Sequence, residues 1–107
     1  SARAHFERAL AANKTNLDAY NQLGILLREQ GKFSDAEQQY LKALSVWPDH
    51  PASHRNLGIL YDLYLGRLEE ALKHYERAQV LEAQKPVRGW IADIKRRIST
   101  ATKKAEY

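Results

Sequence analysis

The sequence predicts an all-α chain of antiparallel helix pairs stacked into a solenoid, and three observations predict it. The tetrapeptide Leu23-Gly24-Ile25-Leu26 recurs unchanged as Leu57-Gly58-Ile59-Leu60, a shift of 34 residues. Further matches flank it on both sides, so the period marks a repeated structural unit. Apolar and small residues recur at helical spacing throughout, with only 3 prolines and 5 glycines in 107 residues to interrupt helices.

Composition bounds the rest. With 44% hydrophobic and 28% charged residues, a chain of this length is expected to form one globular domain, residues 1–107. No apolar run approaches the ~20 residues of a membrane span, so no span is expected. The chain has no cysteine, which excludes disulfides, thiolate metal sites and a redox role. A soluble protein is expected, cytoplasmic or periplasmic, with the compartment left open. The formal charge of +4 owes much to Lys95, Arg96, Arg97, Lys103 and Lys104. Those residues suit the solvated face and negative end of a final helix better than a nucleic-acid surface, which needs a broader basic face with interleaved aromatics.

The elements follow in order. A helix over 2–13 carries Ala2, Phe6 and Ala9, which anticipate Ala36, Tyr40 and Ala43 by 34 residues. It therefore reads as the second helix of a truncated repeat (1–16), cut from a longer array, with apolar surface around Phe6 and Leu10 left open. The next helix, 17–30, places Tyr20, Leu23 and Leu27 on one face and stops at Gly31. Gly24 sits mid-helix, where glycine costs about 1 kcal/mol against alanine; a close neighbouring backbone is the expected reason. A partner helix over 33–46 presents Ala36, Tyr40 and Ala43, and Pro48 closes the repeat 17–50.

The second repeat, 51–85, reuses the plan with helices over 51–64 and 67–83. Its extra residue, in Tyr64-Leu65-Gly66, predicts a longer turn. A last helix over 87–104, within the segment 86–107, carries Trp90, Ile91, Ile94 and Ile98 to cover the open end of that repeat.

A 34-residue helix-turn-helix unit with Tyr20, Leu23, Gly24, Gly31, Ala36, Tyr40, Ala43 and Pro48 at these spacings resembles the tetratricopeptide-repeat (TPR) family. The next copy has Leu57, Gly58, Tyr61, Ala71, Tyr75 and Ala78, with His54 replacing the first aromatic and Ala83 the closing proline. The resemblance implies a right-handed TPR superhelix: half a repeat, two full repeats and a C-terminal capping helix. It also implies a protein-interaction module that grips a peptide or partner helix in its concave groove. Carried over by register, the groove positions are Asp18, Asn21, Ile25, Arg28 and Glu29, then Arg55, Asn56, Ile59 and Asp62. Arg88 or Lys95 of the last helix is expected to add to them. Ile25 and Ile59 would floor the groove, suiting an apolar anchor with a polar or acidic neighbour.

Some TPR domains clamp the C-terminal carboxylate of a chaperone with Lys, Asn and Arg. Asn56 fits one position here, but Ile25 and Asn21 replace others, so that mode is not expected. The alternative function is structural: assembly of a larger protein, or self-association through the open N-terminal end. The overall likeness leans toward bacterial members of the family.

His50 and His54 stand four apart across Pro51 with no third ligand, so they read as surface histidines and no metal is expected; His5 and His74 read as isolated. No nucleophile–base pair, phosphate loop or convergent carboxylate pair emerges. The reading is therefore of a non-enzyme without cofactor.

Overall fold

A computed structural model describes residues 1–106, with side chains through Lys104. Tyr107, the end of the expected tail, lies outside the described residues. Helix α1 (Ala2–Ala12) starts at Ser1, whose hydroxyl accepts the Ala4 N–H. Helix α2 (Leu17–Glu29) starts at Asn16, whose side chain accepts the Ala19 N–H at 3.0 Å. Such a cap contributes about 1 kcal/mol. Gly31, at φ 78°, then turns the chain, and the Lys32 N–H bonds back to the Leu27 carbonyl at 2.8 Å. Helix α3 (Phe33–Val46) returns antiparallel to α2.

Helix α4 (Pro51–Ile59) begins with Pro51, where a missing N–H is harmless, and runs on into a π-helical segment, Leu60–Leu65. Here the structure corrects the expected longer turn. Leu27 and Tyr61 share a register, as do Lys32 and Arg67. The return bond spans five residues in the first repeat and six in the second, from the Arg67 N–H to the Tyr61 carbonyl at 2.8 Å. The turn still rests on one left-handed glycine, Gly66 at φ 65°. Widening the helix absorbs the extra residue while Tyr61 before it and Ala71 after it stay buried.

Helix α5 (Leu68–Leu81) and helix α6 (Lys85–Glu106) complete the chain. The last helix starts two residues earlier than expected because Pro86 fits its first turn. Among the described residues there is no strand, and no helix is long and apolar enough to cross a membrane.

Successive helices pack side by side, and α2 also packs on α4, stacking one repeat on the next in a TPR superhelix. The result is elongated, 53 × 28 × 21 Å. Its core runs along the stack through Leu23, Leu27 and Tyr40, then Leu57, Tyr61 and Tyr75, and ends at Val87 and Ile94. The mid-helix glycines face this core. A Cβ on Gly24 would overlap the Tyr40 ring, and one on Gly58 the Tyr75 ring. An aromatic ring, not the expected neighbouring backbone, is what needs the space. Helix α6 covers the second repeat with Val87 and Ile94, both buried, and with Ile91. Trp90 stays 36% exposed, which its expected place in the cap did not foresee. At the other end α1 has no fully buried residue, and Phe6 and Leu10 are half-buried.

Candidate functional site

The expected groove positions fall into two groups. Asp18 and Glu29 are exposed at the two ends of α2. Ile25 and Ile59 are half-buried on α2 and α4. Arg28 lays its guanidinium 5.3 Å from the Tyr64 ring centroid. Arg55 is half-buried and makes no ion pair among the described residues. These residues have side-chain atoms at or near the surface.

The second group holds the helices together. Asn21 is buried, donating to the Leu17 carbonyl at 3.0 Å and to the Ser53 hydroxyl at 2.8 Å. Its carbonyl oxygen accepts from Asn56 at 2.8 Å. Two amides and a hydroxyl thus join α2 to α4, in a setting where an unpaired amide would be costly. Asp62 is equally occupied. Its side chain is 6% exposed, accepts the Tyr75 hydroxyl at 3.0 Å and pairs with Arg97 of α6 at 2.7 Å. Arg97 also meets Asp93 at 2.9 Å. These bonds to the carboxylates, Asp62 first, raise the Arg97 pKa above its already high ordinary value.

Beside this network lies a cavity of about 450 Å³ between α4 and α6, lined by Ile59, Leu63, Tyr75 and Trp90 with Asp62, Asp93 and Arg97. Leu63 is 67% exposed. Leu63 went unnoticed in the sequence, although it holds the register of Glu29 and was legible there, and Trp90 was assigned to the cap and not to a site. Arg88 and Lys95, expected to contribute from α6, are exposed and do not line this cavity.

The Tyr75–Asp62 bond has a built-in comparison, because Tyr40 occupies the same register in the first repeat. Its hydroxyl is buried with no hydrogen-bond partner among the described residues, and that burial pushes its pKa up to about 12. Tyr40→Phe is therefore expected to change stability by less than about 0.5 kcal/mol, whereas Tyr75→Phe removes a bond to a carboxylate and costs about 1.5–2 kcal/mol. Urea unfolding of the two variants measures the difference.

The histidines correct the sequence reading. His54 is buried, not on the surface, and His74 is not isolated: their Nδ1 atoms lie 3.0 Å apart. His54 Nε2 lies 2.7 Å from the Pro48 carbonyl. In the first repeat the Tyr20 hydroxyl makes the equivalent bond to the Lys14 carbonyl at 2.9 Å. His54 thus does the structural work of the aromatic it replaces. No cluster of three metal-ligating side chains occurs among the described residues.

A fold of stacked 34-residue helix pairs with a glycine–tyrosine contact inside each defines a repeat protein. A tetratricopeptide-repeat family profile matches residues 15–79. The chain belongs to the tetratricopeptide-repeat family. Human protein O-mannosyl-transferase TMTC3 is 35% identical over 79 residues, 74% of this chain; the chain spans 8% of that protein's length. Among solved structures, the first TPR of Spaghetti (RPAP3) bound to an HSP90 peptide superposes with TM-score 0.83 at 20% identity, covering 91% of this chain and 77% of that one. PilF of Pseudomonas aeruginosa gives 0.78 at 26% identity, covering 89% and 44%. The matches fall in mammals and bacteria alike, so the bacterial lean is not singled out.

Proposed function

We propose that this chain is a non-catalytic interaction module that takes an extended segment of a partner protein along α2, α4 and α6. The observation that carries the reading is the apolar cavity with exposed Leu63 and Trp90; Arg55, one helical turn before Ile59 of its lining, makes no ion pair among the described residues. A partly exposed aliphatic–aromatic cavity takes an apolar anchor, and a free guanidinium takes a carboxylate. Arg55 and Leu63 are eight residues apart on a largely helical path, roughly 12 Å. An extended ligand covers that distance in three or four residues, so the favoured segment carries an acidic residue that far from a large apolar one. The RPAP3 domain bound to an HSP90 peptide supports a peptide as the ligand class. Clamping of a chaperone tail is not part of the proposal: Asn56 alone matches that clamp, and its amide bonds Asn21.

Asp18, Ile25, Arg28, Glu29 and Arg55 remain candidate contacts, with Leu63 and Trp90 added. Asn21, Asn56 and Asp62 are assigned to building the face. The test is capture from the source lysate, followed by titration calorimetry on the captured partner. Arg55→Ala/Leu63→Ala spares the core and is expected to weaken binding by about 10- to 100-fold at unchanged helicity. Equal capture by both forms would remove the groove from the proposal. The partly uncovered face of α1 around Phe6 and Leu10, an assembly surface for a longer array or a second copy, would then lead.

A further inference from the structure

On the side of α4 that meets α5, one pair of side chains does more than pack. The Pro48 carbonyl can only accept, so His54 Nε2 carries a proton and His54 Nδ1 is an acceptor. His74 Nδ1 must therefore donate to it. The ring centroids are 5.3 Å apart with the Nδ1 atoms 3.0 Å apart, so the two nitrogens face each other head-on and share one proton. That geometry suits an N–H···N bond and not two lone pairs converging on a metal. Through it, α5 is tied to α4, and α4 to the loop that joins the two repeats.

We infer that His54 and His74 form a proton-sensitive latch between α4 and α5, at full strength while both rings are neutral and weakened by protonation as the solution turns acid. The first added proton goes to His74 Nε2, which makes no hydrogen bond among the described residues and borders a cavity of about 530 Å³. The charge appears in a half-buried ring next to Lys73. A second proton would set two N–H groups head-on and break the bond.

The surroundings do little to stabilise the cation. From α5, Lys73, Glu76 and Arg77 line the same cavity, and Asp49 of the loop is paired with Arg77. From the π segment, the Tyr61 ring lies 5.6 Å from His74, with its hydroxyl bonded to Glu37 of α3. From the start of α4, His50 bonds Ser53, and Arg55 follows His54. Burial foremost, then His54 and Lys73, lowers the His74 pKa to about 4. The unfolded chain, with an ordinary histidine near 6.5, then binds more protons below that pH. Stability is complete above about pH 6.5 and is lost as pH falls toward 4.

The first repeat supplies the control, since Tyr20 and Gln39 hold the registers of His54 and His74 with no group that titrates in this range. Melting temperatures from about pH 7.5 to about pH 4.5 should fall by roughly 5–10 °C for the native chain. For His54→Tyr/His74→Gln the fall should be at most half as large. Equal falls in both proteins, or none in the native chain, would overturn the latch. Should the variant not fold, nitrogen chemical shifts of the native histidines decide. The latch requires opposite tautomers at His54 and His74 and a His74 titration shifted well below the ordinary histidine value of 6.5. The same tautomer at both rings, or a His74 titration at the ordinary value, would overturn it.

Discussion

Gly58→Ala is expected to destabilise the protein by about 2–3 kcal/mol, although alanine favours a helix over glycine by about 1 kcal/mol. The added methyl would overlap the ring of Tyr75, which is 1% exposed and held in place by its hydroxyl bond to Asp62. A double-mutant cycle isolates the cause. In a Tyr75→Leu background the space is vacated, so Gly58→Ala should become neutral or stabilising, with a coupling of about 2 kcal/mol or more. The same cost in both backgrounds, read from urea unfolding, would mean that the ring is not what requires glycine there.

Asp62→Ala should cost about 3 kcal/mol, because it leaves the Tyr75 hydroxyl without its acceptor and strips Arg97 of its buried partner. Asp93 remains to Arg97 but is half-exposed, so its attraction is screened by water. The loss falls on the joint with α6. Hydrogen exchange should therefore quicken first in α6, with α2 unchanged. Replacing both charged partners, Asp62→Leu with Arg97→Met, should recover part of the stability, since no buried charge is then left alone while the Tyr75 hydroxyl still lacks its acceptor. Uniform exchange along the chain, or no recovery in the double variant, would show that this pair does not hold the cap.

Which residues were legible in the sequence follows a physical division. Leu23, Leu27, Tyr40, Ala43, Tyr75 and Ala78 were readable because their burial follows from spacing within one helix, and the helix is a local structure. The repeat carried each reading 34 residues onward, which is why the helix boundaries agree closely. The candidate face was legible only as a register. Of its named residues, Asn21 and Asp62 are turned to internal bonds, because their partners Ser53 and Arg97 arrive from 32 and 35 residues away. Nothing in the local pattern separates an amide that meets a ligand from one that meets the next helix. The His54–His74 pair had the same obstacle, and the inserted residue had another: a turn and a helix can each absorb one residue, and packing on both sides decides which.

By itself, the sequence determined that this protein is a stack of helix pairs of the tetratricopeptide-repeat kind, because period, helical spacing and turn glycines act over one repeat or less. Only the tertiary structure decided which polar side chains hold the stack together and which remain free for a partner. That choice depends on distances between segments brought together by folding, where an unpaired buried amide or carboxylate costs too much to persist.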